Sequence, residues 1–324
     1  MTDPFVRADV RQFLDFLAKL PGPRIHEVDA PTARAQALAM KDLADLGVGD
    51  LAEVRDIIVP GPAGDIPARL FDARPGRDPG PALVFFHGGG WVIGDLDLYA
   101  GVCAQIAQAL DLPVLSVAYR LAPEHRWPAA PDDCEAAARW LASHPGALGN
   151  RAVTSLVLAG DSAGGNLAIV TAQSLRDAPA ALPVIAQFAI YPATDMSRPY
   201  PSFEQFADGH LLTREAMHWF DEAYRADLNA VRASPLLGDM AGLPPAVVLT
   251  ASLDPIRDQG RAYAGALAAA GVPVVFREAV GNIHGFITLR KAIPSGVGDL
   301  AGALVALKAV IAEAEANRVM AQAA

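Results

Sequence analysis

Apolar residues in the first 71 positions recur first at helical spacing and then at strand spacing. The first helix has one apolar face, formed by Val10, Phe13, Leu14 and Leu17. Pro21-Gly22-Pro23 ends this pattern, and a second helix is predicted over Thr32–Leu46. Val54–Val59 and Ile66–Phe71 then flank a run of Pro and Gly at positions 60–64. That arrangement predicts an antiparallel hairpin.

From position 82 onward, short apolar segments alternate with helical patterns. Six strands are predicted: Ala82–Phe86, Val114–Ala118, Ser155–Ala159, Val184–Ile190, Ala246–Ala251 and Val274–Ala279. Five helices are predicted: Leu98–Leu110, Pro131–Ser143, Ala163–Arg176, Arg257–Ala270 and Asp299–Ala316. Strands that are apolar throughout and alternate with helices are typical of a parallel sheet covered on both faces. The predicted fold class is therefore α/β, with a mostly parallel central sheet flanked by helices.

The segment Thr194–Ser234 interrupts this alternation. It is rich in aromatic residues and contains one clear helical pattern, Arg214–Tyr224. A long insertion between two core strands indicates a cap over the carboxyl edge of the sheet. We therefore expect cap pieces at 1–50 and 194–234, and core segments at 51–193 and 235–324.

Composition and charge restrict the class of protein. Of the 324 residues, 52% are hydrophobic and 19% are charged, which excludes a disordered chain. The net charge is −10, and no run of Lys or Arg occurs. Because phosphate backbones require a basic surface, we expect no nucleic-acid partner.

The same sequence restricts the location of the protein. No apolar stretch is expected to reach the roughly 18 residues that a membrane-spanning helix needs. Met1–Val10 carries three charged residues and lacks the apolar core of a secretory signal. Two cysteines, Cys103 and Cys134, do not suggest a disulfide framework in a chain of this length. We expect a cytoplasmic protein without a membrane partner.

The clearest chemical motif is Gly160-Asp161-Ser162-Ala163-Gly164-Gly165, which follows a predicted strand and opens a predicted helix. A serine on such a tight turn needs small neighbours two positions away on either side. The turn raises the hydroxyl above the sheet, next to a helix amino terminus that stabilises negative charge. Ser162 is therefore the candidate nucleophile.

A second motif, His87-Gly88-Gly89-Gly90-Trp91, follows the strand Ala82–Phe86. Consecutive glycines let the backbone approach a bound group and direct N–H donors at it. We expect Gly88, Gly89 and Ala163 to form an oxyanion hole. His87 is interpreted as a residue that holds this loop by hydrogen bonds.

A serine nucleophile needs an imidazole base, and the imidazole needs a carboxylate that fixes its tautomer. His284 is the candidate base because it follows the strand Val274–Ala279 at the carboxyl edge of the sheet. Asp254 follows the strand Ala246–Ala251 directly and is favoured as the acid over Asp258, which falls in the first turn of the next helix. Neither metal-ligand spacing nor a nucleotide-binding glycine motif is found, so we expect no metal and no cofactor.

Together these motifs resemble the hormone-sensitive-lipase family, or bacterial family IV, of α/β-hydrolase esterases. The resemblance rests on five stretches: His87–Trp91, Tyr119–Ala130, Gly160–Asn166, Asp254–Asp258 and His284–Phe286. It implies hydrolysis of carboxylic esters by Ser162, His284 and Asp254. It also implies that Glu124, His125 and Arg126 support the base of the site, and it leaves room for a homodimer formed through the last strand.

The expected substrate is a small ester with a short or medium acyl chain, because a cap would roof the acyl pocket. Seven residues are candidates for lining that pocket: Trp91, Phe203, Phe206, Leu211, Leu212, Phe286 and Ile287. Three other acyl transfers use the same triad, namely those of an amidase, a lactonase and an acyltransferase. A non-catalytic ligand receptor on the same scaffold is a further alternative, although such a protein is expected to lose the nucleophile or the base.

Overall fold

A computed structural model describes residues 4–149 and 152–323, so positions 1–3 of the predicted cap piece 1–50 lie outside the described residues. Eight strands are found in the described part: β1 Glu53–Gly61, β2 Gly64–Asp72, β3 Gly80–Phe86, β4 Val114–Val117, β5 Val153–Asp161, β6 Val184–Ile190, β7 Ala246–Leu253 and β8 Val274–Ile283. They form one sheet in the order β1-β2-β4-β3-β5-β6-β7-β8. The β1–β2 hairpin is antiparallel, and β2 also pairs antiparallel with β4. The pairings from β4 to β8 are parallel, which confirms the predicted fold class.

Nine α-helices accompany this sheet in the same described ranges. They are α1 Ala8–Lys19, α2 Ala30–Ala44, α3 Ala100–Leu110, α4 Ala129–Ser143, α5 Ala163–Asp177, α6 Pro201–Gln205, α7 Arg214–Tyr224, α8 Arg257–Ala269 and α9 Ser295–Ala323. Every predicted helix is present. The largest difference is at the last one, predicted over Asp299–Ala316 and longer at both ends in the structure.

Strand β3 shows why the sequence reads as a buried parallel sheet. Successive side chains of a strand point to opposite faces of the sheet. Val84 packs into the apolar core that includes α4 and α5, whereas Leu83 and Phe85 pack into the core that includes α3 and α9. All three side chains are fully buried, so both faces of the strand must be apolar.

Helix α9 corrects one expectation from the sequence. Among the described helices it alone, over Ser295–Ala321, is long and apolar enough to cross a membrane by length and composition. The expectation that no stretch reaches this length was wrong, because isolated charged residues such as Asp299 and Lys308 hide the apolar character of the whole segment. One stripe of α9 is buried against the sheet together with α3: Leu300, Ala303, Leu304, Leu307 and Ile311.

Helix α2, in the amino-terminal segment, is attached to the sheet domain at both ends. Near its start, the Arg34 guanidinium pairs with Glu124 at 2.7 Å and donates to the carbonyl oxygen of Ala122 at 2.8 Å. Just past its end, buried Asp45 pairs with buried Arg290 at 2.6 Å. Glu124 thus supports the amino-terminal segment, while His125 and Arg126 beside it are exposed.

Candidate functional site

Ser162 lies on the sharp turn between β5 and α5. Its backbone angles are φ 55° and ψ −119°, a strained conformation for a residue with a side chain. A side-chain carbon at Gly160 would lie 2.6 Å from the carbonyl oxygen of Phe86, and one at Gly164 would overlap that same oxygen. The turn therefore requires glycine at both positions, as the sequence pattern indicates.

Three side chains from three different strand ends meet at this turn. The Oγ of Ser162 lies 2.8 Å from Nε2 of His284, and Nδ1 of His284 lies 2.7 Å from Oδ2 of Asp254. Asp254 is fully buried, and its Oδ1 accepts a 2.9 Å hydrogen bond from the N–H of Ile256, which fixes the carboxylate. Asp258 points elsewhere and accepts from the N–H of Ser202 at 3.0 Å. The structure thus places Asp254, and not Asp258, on the imidazole.

His87 holds the glycine loop in place. Its Nδ1 lies 2.8 Å from the carbonyl oxygen of Gly88, and since a carbonyl only accepts, that nitrogen carries a proton. The ring stacks on Tyr119 at a centroid distance of 4.4 Å, and the Tyr119 hydroxyl donates to the His87 carbonyl at 2.7 Å. Burial lowers the pKa of His87 to about 4, so the ring is neutral near pH 7. These contacts agree with the interpretation of His87 as a loop-holding residue.

The structure corrects the expectation for Gly88. Its N–H donates to Oδ1 of Asp161 at 2.7 Å and is therefore not free to bind an oxyanion. Gly89 and Gly90 instead line the same cavity as Ser162 and Ala163. Within residues 4–149 and 152–323, the N–H groups of Gly89 and Gly90 have no acceptor. The sequence did not reveal this register because glycine permits several peptide orientations, and here both Gly89 and Gly90 have positive φ.

Ser162 and His284 open into a cavity of about 1850 Å³. Its wall comes from the amino-terminal segment, from the 194–234 segment and from the core loops around the two residues. Four of the predicted lining residues contribute to it: Trp91, Phe203, Leu211 and Leu212.

Three predicted lining residues do not reach this cavity. Phe206 is buried in an apolar cluster with Val10 of α1 and Ile283 of β8. Phe286 and Ile287 are fully buried in the core between the sheet and α9. All three are large apolar residues, so the sequence predicted their burial but not the side on which they are buried.

Two aromatic residues of α7 were missed as site residues. The ring of Phe220 covers Gly90 so closely that a side chain at Gly90 would overlap it. Tyr224 stacks on Trp91 with a centroid distance of 4.4 Å and an interplanar angle of 2°. Both lie in the predicted helix Arg214–Tyr224, but nothing in the sequence indicates which residues they would contact.

Two further features bear on the chemistry that the site can support. No group of three or more His, Cys, Asp or Glu side chains is placed to hold a metal ion anywhere in the described ranges. Cys103 and Cys134 are buried free thiols, and burial raises the pKa of Cys103 to about 12. Burial also raises the pKa of Cys134. Of the side chains around Ser162, the imidazole of His284 is the group placed to move its proton, because its Nε2 lies 2.8 Å from the serine oxygen.

Comparison with known proteins gives concordant matches. A family model described as the alpha/beta hydrolase fold matches residues 83–288. The chain is 42% identical over 264 residues to the carboxylic ester hydrolase LipN of Mycobacterium tuberculosis. This alignment covers 77% of this chain and 68% of that protein. It is 41% identical over 236 residues to the ethyl acetate hydrolase of Pseudomonas putida, with 70% and 73% covered. The structure of a thermostable esterase from Pseudomonas putida ECU1011 superposes with a TM-score of 0.89 at 31% identity, covering 96% of this chain and 99% of that one.

Proposed function

Because this chain belongs to the α/β-hydrolase fold family and is a serine carboxylesterase of the hormone-sensitive-lipase type, we propose that Ser162, His284 and Asp254 carry out its ester hydrolysis. The observation that carries this assignment is the continuous pair of hydrogen-bond distances, 2.8 Å and 2.7 Å, from the serine oxygen to the buried carboxylate. This is the geometry that nucleophile, base and orienting acid require.

In the acylation half of the reaction, Nε2 of His284 takes the proton of the Ser162 hydroxyl. The serine oxygen then attacks the carbonyl carbon of the ester, and the carbonyl oxygen becomes an oxyanion. As the tetrahedral intermediate collapses, the imidazolium gives its proton to the leaving alcohol. Asp254 holds the imidazole in the tautomer that presents Nε2 to the serine and stabilises the imidazolium.

In the deacylation half, a water molecule gives a proton to His284 and attacks the acyl-enzyme carbonyl. The second tetrahedral intermediate collapses with return of that proton to Ser162, and the carboxylic acid leaves. Both halves place negative charge on the same substrate oxygen, so one set of donors serves both steps.

The donors for that oxygen are the N–H groups of Gly89, Gly90 and Ala163. The first two lie in the loop after β3 and are not hydrogen-bonded within the described part of the chain. Ala163 is the first residue of α5, where a helix N–H has no partner inside the helix. Fixed donors of this kind stabilise charge that develops in the transition state.

The acyl group is short or medium in length, and the two segments outside the alternating core act as a cap over it. Pieces 1–50 and 194–234 supply the roof of the cavity, and 51–193 with 235–324 form the catalytic core. A roofed site favours dissolved monomeric esters over an emulsified triglyceride surface. The similarity to an enzyme named for ethyl acetate hydrolysis supports a short acyl group.

A panel of p-nitrophenyl esters from C2 to C16 tests this substrate class. We expect kcat/KM to be highest for the short members. An optimum at C16 would rule out the short-chain proposal while leaving ester hydrolysis intact. An anilide, a lactone and an added alcohol acceptor in the same assay compare ester hydrolysis with amidase, lactonase and acyltransferase activity.

We also propose that the enzyme acts in the cytoplasm on a small-molecule ester, without nucleic acid, membrane or cofactor, and that it can form a homodimer. The net charge of −10 supports the absence of a nucleic-acid partner. Fractionation of cells that express the chain tests the location, and recovery of the activity with membranes would contradict it. Light scattering on the purified protein tests the dimer.

A further inference from the structure

Asp161, which ends β5 and immediately precedes Ser162, is a buried carboxylate without a catalytic assignment in the mechanism above. It is 2% exposed. Its Oδ1 accepts from the N–H of Gly88 at 2.7 Å, and its Oδ2 accepts from the hydroxyls of Tyr99 at 3.1 Å and Tyr191 at 3.3 Å. Three neutral donors from three separate segments thus converge on one carboxylate.

One side of this carboxylate holds the glycine loop. A side-chain carbon at Gly88 would lie 2.6 Å from Oδ2 of Asp161, so the loop backbone rests directly on the acid. The hydrogen bond fixes the peptide plane that enters Gly88, and the next two N–H groups are those of Gly89 and Gly90. The orientation of these two donors therefore depends on Asp161.

The other side of the carboxylate is coupled to the imidazole. Tyr191 donates to Asp161, and its ring lies 4.5 Å from the ring of His284. A negative charge on Asp161 also attracts the imidazolium that forms during acylation. This attraction is strong because the effective dielectric constant of the protein interior is low.

The charge of Asp161 has no ionic partner in the parts of the chain that the structure describes. The titratable groups that face it are Tyr99, Tyr119, Tyr191, Cys103 and His284. Burial raises the pKa of Asp161 to about 6, and the hydrogen bonds from Tyr99 and Gly88 oppose that rise. The carboxylate is therefore ionised above pH 7 and becomes neutral between pH 7 and 5.

We infer that Asp161 is a positioning residue for the reaction: its ionised carboxylate orients Gly89 and Gly90 through Gly88 and stabilises the imidazolium of His284. This inference rests on the proposed function, because it needs the Ser162–His284 chemistry. It adds a second carboxylate to the site, one that acts through other residues and does not touch the substrate.

Two variants separate the hydrogen bond from the charge. Asp161→Asn keeps an oxygen that can accept from Gly88 and offers an amide to the two tyrosine oxygens, but it removes the charge. We expect kcat to fall by about tenfold with little change in KM. Asp161→Ala removes both contributions, and we expect a loss in kcat of about a hundredfold, within the range measured for the loss of an oxyanion donor.

The pH profile distinguishes positioning from a purely structural role. In the native enzyme kcat is full only while Asp161 is ionised, so acidification through pH 6 adds a further loss and makes the acid limb of log kcat steeper. In Asp161→Asn this contribution is absent, and we expect a shallower acid limb than in the native enzyme. We also expect kcat of Asp161→Asn to lie between that of Asp161→Ala and that of the native enzyme.

Asp72→Asn is the matched control. Asp72 is also fully buried, and it pairs with Arg77 at 2.8 Å. It ends β2, which runs antiparallel to β4, so it lies beside Val114 at the opposite edge of the sheet from Ser162. We expect this variant to lose stability but to keep the native kcat and the native slope.

Several outcomes would overturn the inference. One is a native kcat and a native acid slope in both Asp161 variants. Another is an equal loss of kcat in Asp161→Asn and Asp72→Asn when the two variants lose a similar amount of thermal stability. If Asp161→Ala fails to fold, Asp161→Asn decides by its slope alone. Covalent labelling of Ser162 by a phosphonate ester is measured in parallel, so failure of the proposed function appears as unlabelled native enzyme and is not confused with failure of this inference.

Discussion

The aromatic ring of Phe220, on α7, rests directly on the backbone of Gly90 in the loop after β3. Phe220 is 9% exposed and belongs to the wall of the cavity that contains Ser162. This contact joins the 194–234 segment to the proposed oxyanion donors. Helix α7 therefore limits the cavity beside Gly90 and also holds the loop after β3 in place.

Phe220→Ala should therefore change specificity and lower activity on small esters. Removing the ring opens volume beside Gly90 and frees the loop, so we expect kcat for an acetate ester to fall while the rate ratio of bulky to small esters rises. The buried Phe-to-Ala change should also cost about 3 kcal/mol of stability. Phe276→Ala, at a 42% exposed position on β8, serves as the control. An unchanged ratio of bulky to small esters would show that Phe220 does not limit this space.

The triad assignment predicts a large loss of kcat on substitution of Asp254 and a small one on substitution of Asp258. Ser162→Ala and His284→Ala should each lower kcat by about 10⁴-fold or more, and Asp254→Asn by a similar factor, since the imidazole would lose its orienting carboxylate. Asp258→Asn should stay within a few-fold of the native kcat, because Asp258 bonds to Ser202 and Arg257 and not to His284. Retained turnover in Ser162→Ala would refute the mechanism.

The elbow predicts opposite effects of two Gly-to-Ala changes in helices. Gly164→Ala places a carbon on the Phe86 carbonyl oxygen and should unfold the turn or strongly destabilise the protein. Gly265→Ala in α8 meets nothing within 4 Å and should raise stability by about 0.5–1 kcal/mol through helix propensity. Thermal unfolding of both variants checks the pair, and equal melting temperatures would contradict the steric account.

His87 predicts a specific loss of stability on acidification. Its pKa in the folded state is about 4, against 6.5 for an ordinary histidine, so the unfolded chain binds a proton first as the pH falls. The stability is complete above pH 6.5 and is lost as the pH falls from 6.5 towards 4, by about 3 kcal/mol for a shift of this size. His87→Asn, which does not titrate, should lose about that much less over the same range. Denaturant unfolding at pH 7 and pH 4.5 measures the difference, and parallel losses in the two proteins would exclude His87 as the cause.

Asp161 changes the folding stability over the same pH range, but in the opposite direction to His87. Because its pKa is raised to about 6 in the folded state, the folded chain takes up that proton before the unfolded chain does. The native enzyme should therefore gain stability from this group between pH 6 and 4, and Asp161→Asn should lack the gain. Comparison of the single and double variants of His87 and Asp161 separates the two contributions.

Local sequence determined the elements and predicted the three side chains that the structure brings together at Ser162. The apolar runs predicted each core strand, since a strand buried on both faces leaves no other pattern, and glycine at 160 and 164 marked the sharp turn at Ser162. The position of Asp254 and His284 after strands placed both at one edge, because parallel strands end together.

Only the tertiary structure decided the direction of individual groups. Gly88, Gly89 and Gly90 are equivalent in sequence, and only the fold shows that the N–H of the first is bonded to Asp161 while the other two residues line the cavity. Phe206, Phe286 and Ile287 had the right polarity for a pocket wall but are buried on other sides, because hydrophobicity drives burial without specifying direction. Composition and periodicity thus fix which side chains leave water, and long-range packing fixes what each of them meets.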